Sequence, residues 1–186
     1  AIMIEEAHRY GLKFHAWFNP YRLQPESHMK TISTTYQTRK WYDSRSSSDR
    51  VVVINGTCYL NPGYPEARQL IVDGVKEIVS KYNVDGVHID DYFYPTTDSS
   101  FDQKAYVANG GGKSLRDFRF DNVNQTVKGI YSAVKSTKSY VVFGVSPAGN
   151  MSNNTNTLYA DTKKWTSNNG YLDYIIPQLY WNYDHP

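Results

Sequence analysis

Short apolar strands alternate with amphipathic helices along most of this sequence, and this order restricts the possible folds more than any other feature. Four β-rich runs lie at residues 12–18, 84–90, 140–145 and 174–180. The spacing of apolar side chains predicts a helix over 65–82, a second over 115–137 and a short helical segment around 158–165. Strands separated by helices in this way are typical of right-handed βαβ units, and therefore of a parallel sheet.

The alternation of side chains within each strand indicates which parallel fold this is. One alternating set is apolar and suits packing under helices, while the other set is polar or aromatic. The second set consists of His15, Trp17 and Asn19; His88 and Asp90; Gly144 and Ser146; and Gln178 and Tyr180. No glycine-rich phosphate-binding motif follows a strand, which disfavours the nucleotide-binding doubly wound folds. We therefore predict a (β/α)8 barrel, in which the active site lies at the C-terminal ends of the strands.

The stretch from Tyr82 to Pro95 is the strongest candidate for chemistry. A buried strand there ends in Asp90 and Asp91, which three aromatic residues follow. An inward-facing carboxylate at the end of a buried strand is costly unless it is paired or used. The alternative is that both aspartates cap the next helix or accept backbone hydrogen bonds in a loop. Asp90 has the inward alternation, whereas Asp91 reaches the site only if the strand ends at Asp90.

Asp90 and Asp91 are therefore the catalytic candidates, and other residues near the strand ends are candidates for binding a sugar. The binding candidates are Trp17, Asn19, Tyr21, Arg22, His88, Tyr92, Ser146, Gln178, Tyr180 and Trp181. Packing in the barrel is the alternative role for Trp17 and Tyr180. His15 and His88 lie lower in the barrel, and we expect them to orient Asn19 and Asp90 by hydrogen bonds.

The sequence does not indicate a metal or a cofactor. A metal-dependent deacetylase-like enzyme would need a second histidine at a suitable spacing from His88, and none is present. Cys58 is the single cysteine and is expected to be a buried structural thiol. Arg119 and Asn124 lie on a predicted helix, where we expect them to be structural ties.

Composition and charge restrict the classes of partner. Aromatic residues make up 15% of the chain, with 17 Tyr and 4 Trp, which is typical of surfaces that stack on sugars but also of large cores rich in tyrosine. The net charge of +2 arises from 20 basic and 18 acidic residues that are interspersed, so a nucleic-acid partner is not indicated. No apolar stretch reaches the ~20 residues that span a membrane.

Residues 23–60 interrupt the alternation of strands and helices. The part from 24 to 50 is polar and too long for a plain connection, which indicates a functional loop. After it, Asn55 and Gly56 are suited to the two positive-φ positions of a type I′ turn between β-rich arms at 51–54 and 57–60. We therefore predict a long loop and hairpin insertion at about 23–60.

Several motifs resemble the bacterial glycosyl-hydrolase-like 10 family. The longest are YLNPGYPEAR at 59–68 and YNVDGVHIDDYFYP at 82–95. Shorter ones are HAWFNPYR at 15–22, GVSP at 144–147 and PQLYW at 177–181. The resemblance covers nearly the whole chain, and the run of fourteen residues around Asp90 is specific.

This resemblance implies that residues 1–186 are part of one (β/α)8 glycosidase domain that is exported and often a lipoprotein. It implies an extracytoplasmic location and a polysaccharide or oligosaccharide substrate in the bacterial cell wall, such as peptide-free peptidoglycan glycan strands. More distantly, residues 85–90 are similar to the alpha-amylase strand that carries a nucleophilic Asp. Those enzymes have Arg where His88 stands and an acidic residue where Ser146 stands. An alpha-amylase-like glucan hydrolase and a non-catalytic carbohydrate-binding barrel remain alternatives.

The second carboxyl group and the closure of the barrel stay open at this point. Glycosidases need two carboxyl groups, about 5 to 5.5 Å apart for retention and about 6.5 to 9.5 Å for inversion. Adjacent residues seldom satisfy either distance, so Asp184 is a candidate besides Asp91. A full barrel needs ~250 residues. Four strands therefore predict either an incomplete barrel or two copies that pair edge to edge to complete a closed core.

Overall fold

The computed structural model describes residues 2–182 of the chain and shows a parallel four-stranded sheet. Its strands are β1 (His15–Phe18), β5 (Gly86–Ile89), β6 (Val142–Val145) and β7 (Tyr174–Ile175), adjacent in that order. All three neighbouring pairs are parallel. Because spatial order follows chain order, the sheet has the arrangement of consecutive βα units in a (β/α)8 barrel, and the predicted partial barrel is confirmed.

Helices cover one face of this sheet. They are α1 (Ile2–Arg9), α4 (Pro65–Lys81), α6 (Leu115–Thr137), α7 (Met151–Asn156) and α8 (Thr162–Ser167). Helix α4 begins with Pro65 in its first turn, and Ser114 caps α6 by accepting a hydrogen bond from the backbone N–H of Asp117. Val87 and Phe143 on the helix side of the sheet are completely buried beneath these helices. The predicted helices over 65–82 and 115–137 are confirmed.

Residues 22–60 form a second, antiparallel sheet with its own helices. The strands β2 (Arg22–Pro25), β3 (Val51–Ile54) and β4 (Thr57–Leu60) lie in the order β2-β4-β3, and the helices are α2 (Glu26–Met29) and α3 (Gln37–Asp43). Asn55 and Gly56 have φ values of 47° and 75°, which confirms the predicted hairpin turn.

The polar section at 24–50 is therefore more ordered than its composition indicates. Arg39 donates hydrogen bonds to the carbonyls of Met29, Lys30 and Ile32, while its guanidinium pairs with Asp43. These bonds to backbone carbonyls stabilise α2 and α3 without an apolar periodicity, which is why the pattern of apolar residues did not predict these helices.

Three further segments differ from the predictions. The connection between Pro95 and α6, for which the sequence pattern predicts neither helix nor strand, contains a 3₁₀ turn (Ser99–Phe101) and α5 (Gln103–Asn109). The short helix predicted around 158–165 is present as α8, which begins later, at Thr162, and the additional helix α7 precedes it. The fourth strand stops at Ile175, and Gln178 makes only an isolated bridge to Ala148. Pro177 lies between them and has no backbone N–H to donate to a strand ladder.

Among residues 2–182, no helix or strand covers the face of the parallel sheet opposite the helices. In the described part of the chain β1 and β7 are the edge strands, and the side chains of Trp17 and Tyr180 are 69% and 86% exposed. Edge-to-edge pairing of two copies remains a prediction. Between residues 2 and 182, no helix is both long enough and apolar enough to cross a membrane.

At the opposite end of the sheet, Asp85 ties β1 to β5. Its carboxylate accepts a hydrogen bond from the backbone N–H of Phe14 at 2.8 Å, and it contacts His8 Nε2 at 2.6 Å and Lys13 Nζ at 3.0 Å. The Phe14 N–H, followed by the His8 and Lys13 side chains, holds the pKa of Asp85 well below its usual range.

We expect Asp85→Asn to destabilise the protein at neutral pH and to matter less in acid. A carboxylate whose pKa is lowered on folding contributes its full stability above its unfolded pKa of about 3.9, and this contribution declines as the pH falls from there through the lower pKa of the folded state. Urea unfolding midpoints of wild type and variant should differ most at pH 7 and by a smaller amount at pH 3. Asp73→Asn, at an exposed carboxylate on α4, is the control. Equal differences at both pH values would show that Asp85 acts through its shape and not its charge.

Candidate functional site

The C-terminal ends of the parallel strands bring polar residues from distant parts of the sequence together. Asp90 follows β5 directly, Asn19 follows β1 and Ser146 follows β6. Gln178 joins them through its bridge to Ala148. This edge of the sheet is where barrel enzymes place their catalytic residues.

Asp90 is a nearly buried carboxylate with two hydrogen bonds. Asp90 is 3% exposed. Asn19 Nδ2 donates a hydrogen bond to Asp90 Oδ2 at 3.4 Å. The backbone N–H of Tyr92 donates to Asp90 Oδ1 at 3.3 Å. Burial raises the pKa of Asp90, and the neighbouring Asp91 raises it further. The Tyr92 N–H, Arg22 and Asn19 oppose this shift without cancelling it.

Asp91 is turned towards the last strand by Gln178. Gln178 Nε2 donates to Asp91 Oδ1 at 3.0 Å and to the carbonyl of Ser146 at 2.8 Å, while Tyr180 donates its hydroxyl to Gln178 Oε1. The strand ends at Ile89, so the backbone can turn Asp91 back towards the site despite its alternation in sequence. Ser146 itself donates its hydroxyl to the carbonyl of Ile176 at 2.7 Å.

Arg22 and Tyr92 form a stacked pair beside Asp90. The Arg22 guanidinium carbon lies 4.4 Å from the centroid of the Tyr92 ring, and both residues are exposed. The backbone N–H of Arg22 donates to Asn19 Oδ1 at 2.8 Å, so Asn19 links this pair to Asp90. Exposed aromatic rings continue around the same end of the sheet at Trp17, Tyr180 and Trp181.

The structure corrects the assignment of Tyr21 as a sugar-binding residue. Tyr21 is completely buried, donates its hydroxyl to Thr126 Oγ1 at 2.6 Å and packs edge-on against Phe93. Burial raises its pKa far above the usual value. Next to it, Arg22 begins β2 and points to solvent, so Tyr21 is directed into the core between the sheet and α6.

The expected roles of His15 and His88 also change. Neither imidazole bonds Asn19 or Asp90; instead, His15 Nδ1 and His88 Nδ1 lie 2.7 Å and 3.0 Å from the hydroxyl of Tyr174. A hydroxyl donates to only one acceptor, so the second imidazole must carry its proton on Nδ1 and donate to Tyr174. Burial lowers the pKa of His88 and raises that of Tyr174. His88 therefore belongs to a hydrogen-bonded wall below the site, which consists of His15, His88 and Tyr174.

Tyr174 is the residue of this wall that the sequence analysis missed. Glycines opposite the rings make the arrangement possible: a Cβ on Gly144 would lie 2.0 Å from the Tyr174 ring, and one on Gly86 would lie 2.6 Å from the His15 ring. The sequence did indicate that Tyr174 faces the site, because it has the same alternation along the predicted strand as Gln178 and Tyr180.

Arg119 and Asn124 are structural ties, as expected. Arg119 pairs with Asp102 in the core and donates to the carbonyls of Thr97 and Asp98, in the loop that follows the catalytic candidates. Asn124 Oδ1 accepts a hydrogen bond from Trp165 Nε1 at 2.6 Å.

Among residues 2–182, no group of three or more His, Cys, Asp or Glu side chains is placed to hold a metal ion. Asp184, the other candidate for the second carboxyl group, lies outside the described residues.

Comparison with known proteins relates the chain to proteins named as glycosyl hydrolases. The chain is 41% identical to "Glycosyl hydrolase YngK" of Bacillus subtilis over 98% of its own length and 38% of that protein. It is 39% identical to "Glycosyl hydrolase DigH" of Escherichia coli K12 over 97% of its own length and 45% of that protein. The chain thus spans less than half the length of these curated relatives.

A solved structure supports the fold. The alpha-L-fucosidase isoenzyme 2 of Paenibacillus thiaminolyticus superposes with a TM-score of 0.52 and 16% sequence identity, over 80% of this chain and 22% of that one. The family model described as Glycosyl hydrolase-like 10 matches residues 1–185, and the chain therefore belongs to that family.

Proposed function

We propose that this chain forms the Asp90-bearing part of a glycoside hydrolase that cleaves a bacterial cell-wall polysaccharide. The observation that carries the proposal is the nearly buried carboxylate of Asp90 at the end of β5, beside exposed aromatic rings. Membership of the glycosyl hydrolase-like 10 family supports the reaction class. The exposed rings of Trp17, Tyr180 and Trp181 form an aromatic rim. This rim supports a carbohydrate ligand, because flat rings pack against the apolar faces of sugars while polar groups bond the hydroxyls.

In this proposal Asp90 stabilises the positive charge that develops on the sugar. Glycoside hydrolysis passes through an oxocarbenium-like transition state. A carboxylate held by Asn19 and the Tyr92 N–H is already oriented, and its low exposure strengthens the electrostatic attraction. Asp91 is the second carboxylate at the same strand end, and Gln178 holds it in a fixed orientation.

We further propose that the substrate is the peptide-free glycan strand of peptidoglycan and that the protein works outside the cytoplasm. The test is to incubate the full-length protein with peptide-free peptidoglycan strands, chitin oligosaccharides and α-glucans and to measure new reducing ends. Cleavage of the peptidoglycan strands is expected. Cleavage of α-glucans alone would favour the amylase-like alternative. Binding without cleavage of any substrate would favour a non-catalytic carbohydrate-binding barrel.

Trp17 and Trp181 provide a test of the aromatic rim. We expect Trp17→Ala and Trp181→Ala each to weaken binding of an oligosaccharide more than they slow hydrolysis of a small activated glycoside, because stacking acts on sugar units away from the bond that breaks. Calorimetric binding and steady-state kinetics on the two substrates measure this. Tyr140→Ala, at an exposed aromatic residue just before β6, is the control. Equal losses on both substrates would indicate that the tryptophans support the fold.

A further inference from the structure

We propose that Arg22, stacked on Tyr92, binds a carboxylate substituent of the substrate next to the bond that Asp90 cleaves. This assigns the site a preference for acidic sugar chains over neutral ones with the same backbone. The inference deepens the proposed function and rests on it. Its basis is the unused hydrogen-bonding capacity of one cation beside the candidate catalytic carboxylate.

Arg22 differs from every other arginine in the described part of the chain. The others use their guanidinium groups in hydrogen bonds or ion pairs with other protein groups, as Arg39 does with Asp43, Arg50 with Glu66 and Arg68 with Gln125. Between residues 2 and 182, the Arg22 side chain has no hydrogen bond and no carboxylate within ion-pair distance. It lies against the face of the Tyr92 ring. A guanidinium stacked on a ring keeps its N–H edges available to a ligand.

Hydrogen bonds hold the backbones of Arg22 and Tyr92 in place relative to Asp90. The backbone of Arg22 is held by Asn19 Oδ1, and Asn19 Nδ2 reaches Asp90. The ring beneath the guanidinium belongs to Tyr92, whose own N–H bonds Asp90 Oδ1. Both members of the stacked pair are therefore anchored to the carboxylate by hydrogen bonds.

Asp90 does not neutralise Arg22. The two groups are close enough for Arg22 to help lower the pKa of Asp90, yet they form no ion pair. Asp90 is nearly buried and its oxygens face Asn19 and the Tyr92 N–H, whereas the Arg22 side chain is exposed. An anionic group that arrives from solvent can therefore reach the guanidinium without competing with Asp90.

A carboxylate is the ligand that best fits this geometry. The planar fork of a guanidinium binds a carboxylate through two parallel N–H···O bonds, and such charge-assisted bonds are stronger than those between neutral groups. A peptide-free peptidoglycan strand carries a free lactyl carboxylate on alternate sugars, while a chitin chain has an equivalent backbone without that group. Arg22 would thus distinguish the two polymers at a single substituent.

The test compares one strand with its carboxylates free and with the same carboxylates converted to amides. The kcat/KM for hydrolysis of each is measured with wild-type full-length protein, Arg22→Gln, Arg22→Lys and the control Arg116→Gln. Arg116 also lies over an aromatic ring, that of Phe120, but on helix α6. Thermal unfolding of each variant verifies that its fold is intact.

We expect Arg22→Gln to lower kcat/KM on the free-carboxylate strand by about 10-fold or more, as loss of a hydrogen bond to a charged group predicts. The amidated strand should change by no more than about twofold, and Arg22→Lys should recover part of the loss because it keeps the charge without the fork. Arg116→Gln should change neither substrate. Equal losses on both strands, or no loss on either, would overturn the proposal.

Failure of the proposed function gives a different result. If wild-type protein cleaves neither strand, the proposal of a cell-wall hydrolase fails while the Arg22 subsite stays testable. The subsite is then tested by calorimetric binding of the same two strands. Stronger binding of the free-carboxylate strand that Arg22→Gln abolishes would support the subsite. Equal affinities for both strands in wild-type protein would exclude it.

Discussion

Replacing Asp90 with asparagine is expected to reduce hydrolysis at least about 100-fold while the fold and the affinity for sugar change little. The substitution keeps the shape of the side chain and an acceptor oxygen for Asn19, but it loses the second acceptor, which faces the Tyr92 N–H. It also removes the charge that stabilises the oxocarbenium-like transition state. The measurement is kcat on the substrate identified by the reducing-end assay, together with calorimetric binding of the same oligosaccharide.

The control for this experiment is Asp73→Asn, because Asp73 is an exposed carboxylate on α4 away from the strand ends. It should retain full activity. If the Asp90 variant keeps more than about a tenth of the wild-type rate, Asp90 is not the essential carboxylate. Asp91 and Asp184 would then become the first residues to replace, since they are the two candidates for the second carboxyl group.

The second large effect is expected in stability. Arg119→Met should lower the free energy of unfolding by about 3 to 5 kcal/mol, because it leaves the carboxylate of Asp102 buried without its cation. Both side chains of this ion pair are completely buried. The same guanidinium bonds the carbonyls of Thr97 and Asp98, so the loop that follows Asp90 would also lose its anchor.

Urea unfolding monitored by tryptophan fluorescence measures this change. Arg116→Met, on the exposed side of the same helix, is the matched control and should cost far less. The double variant Arg119→Met with Asp102→Leu should recover much of the loss, since replacing both members of a buried pair by apolar side chains removes the unpaired charge. A double variant no more stable than the single one would show that the bonds to the loop carbonyls dominate.

The sequence by itself determined the features that depend on neighbouring residues. The period of apolar side chains predicted α4 and α6, and Asn55-Gly56 predicted the hairpin, because helix periodicity and turn geometry act over a few residues. The alternation in each strand likewise separated the helix-facing side chains from those at the open face. Asp90 was identified on this basis, as an inward carboxylate at a strand end.

Only the tertiary structure decided how these residues are used, because their partners are far away in the chain. The hydroxyl of Tyr174 is 159 positions from His15, and Gln178 is 87 positions from Asp91. Alternation predicts the face on which a side chain lies, but the contact that it makes there depends on strand register and on the space that glycines such as Gly144 leave open. Tyr21 became a core residue for the same reason: Thr126, 105 positions away, provides its hydrogen-bond acceptor in the interior.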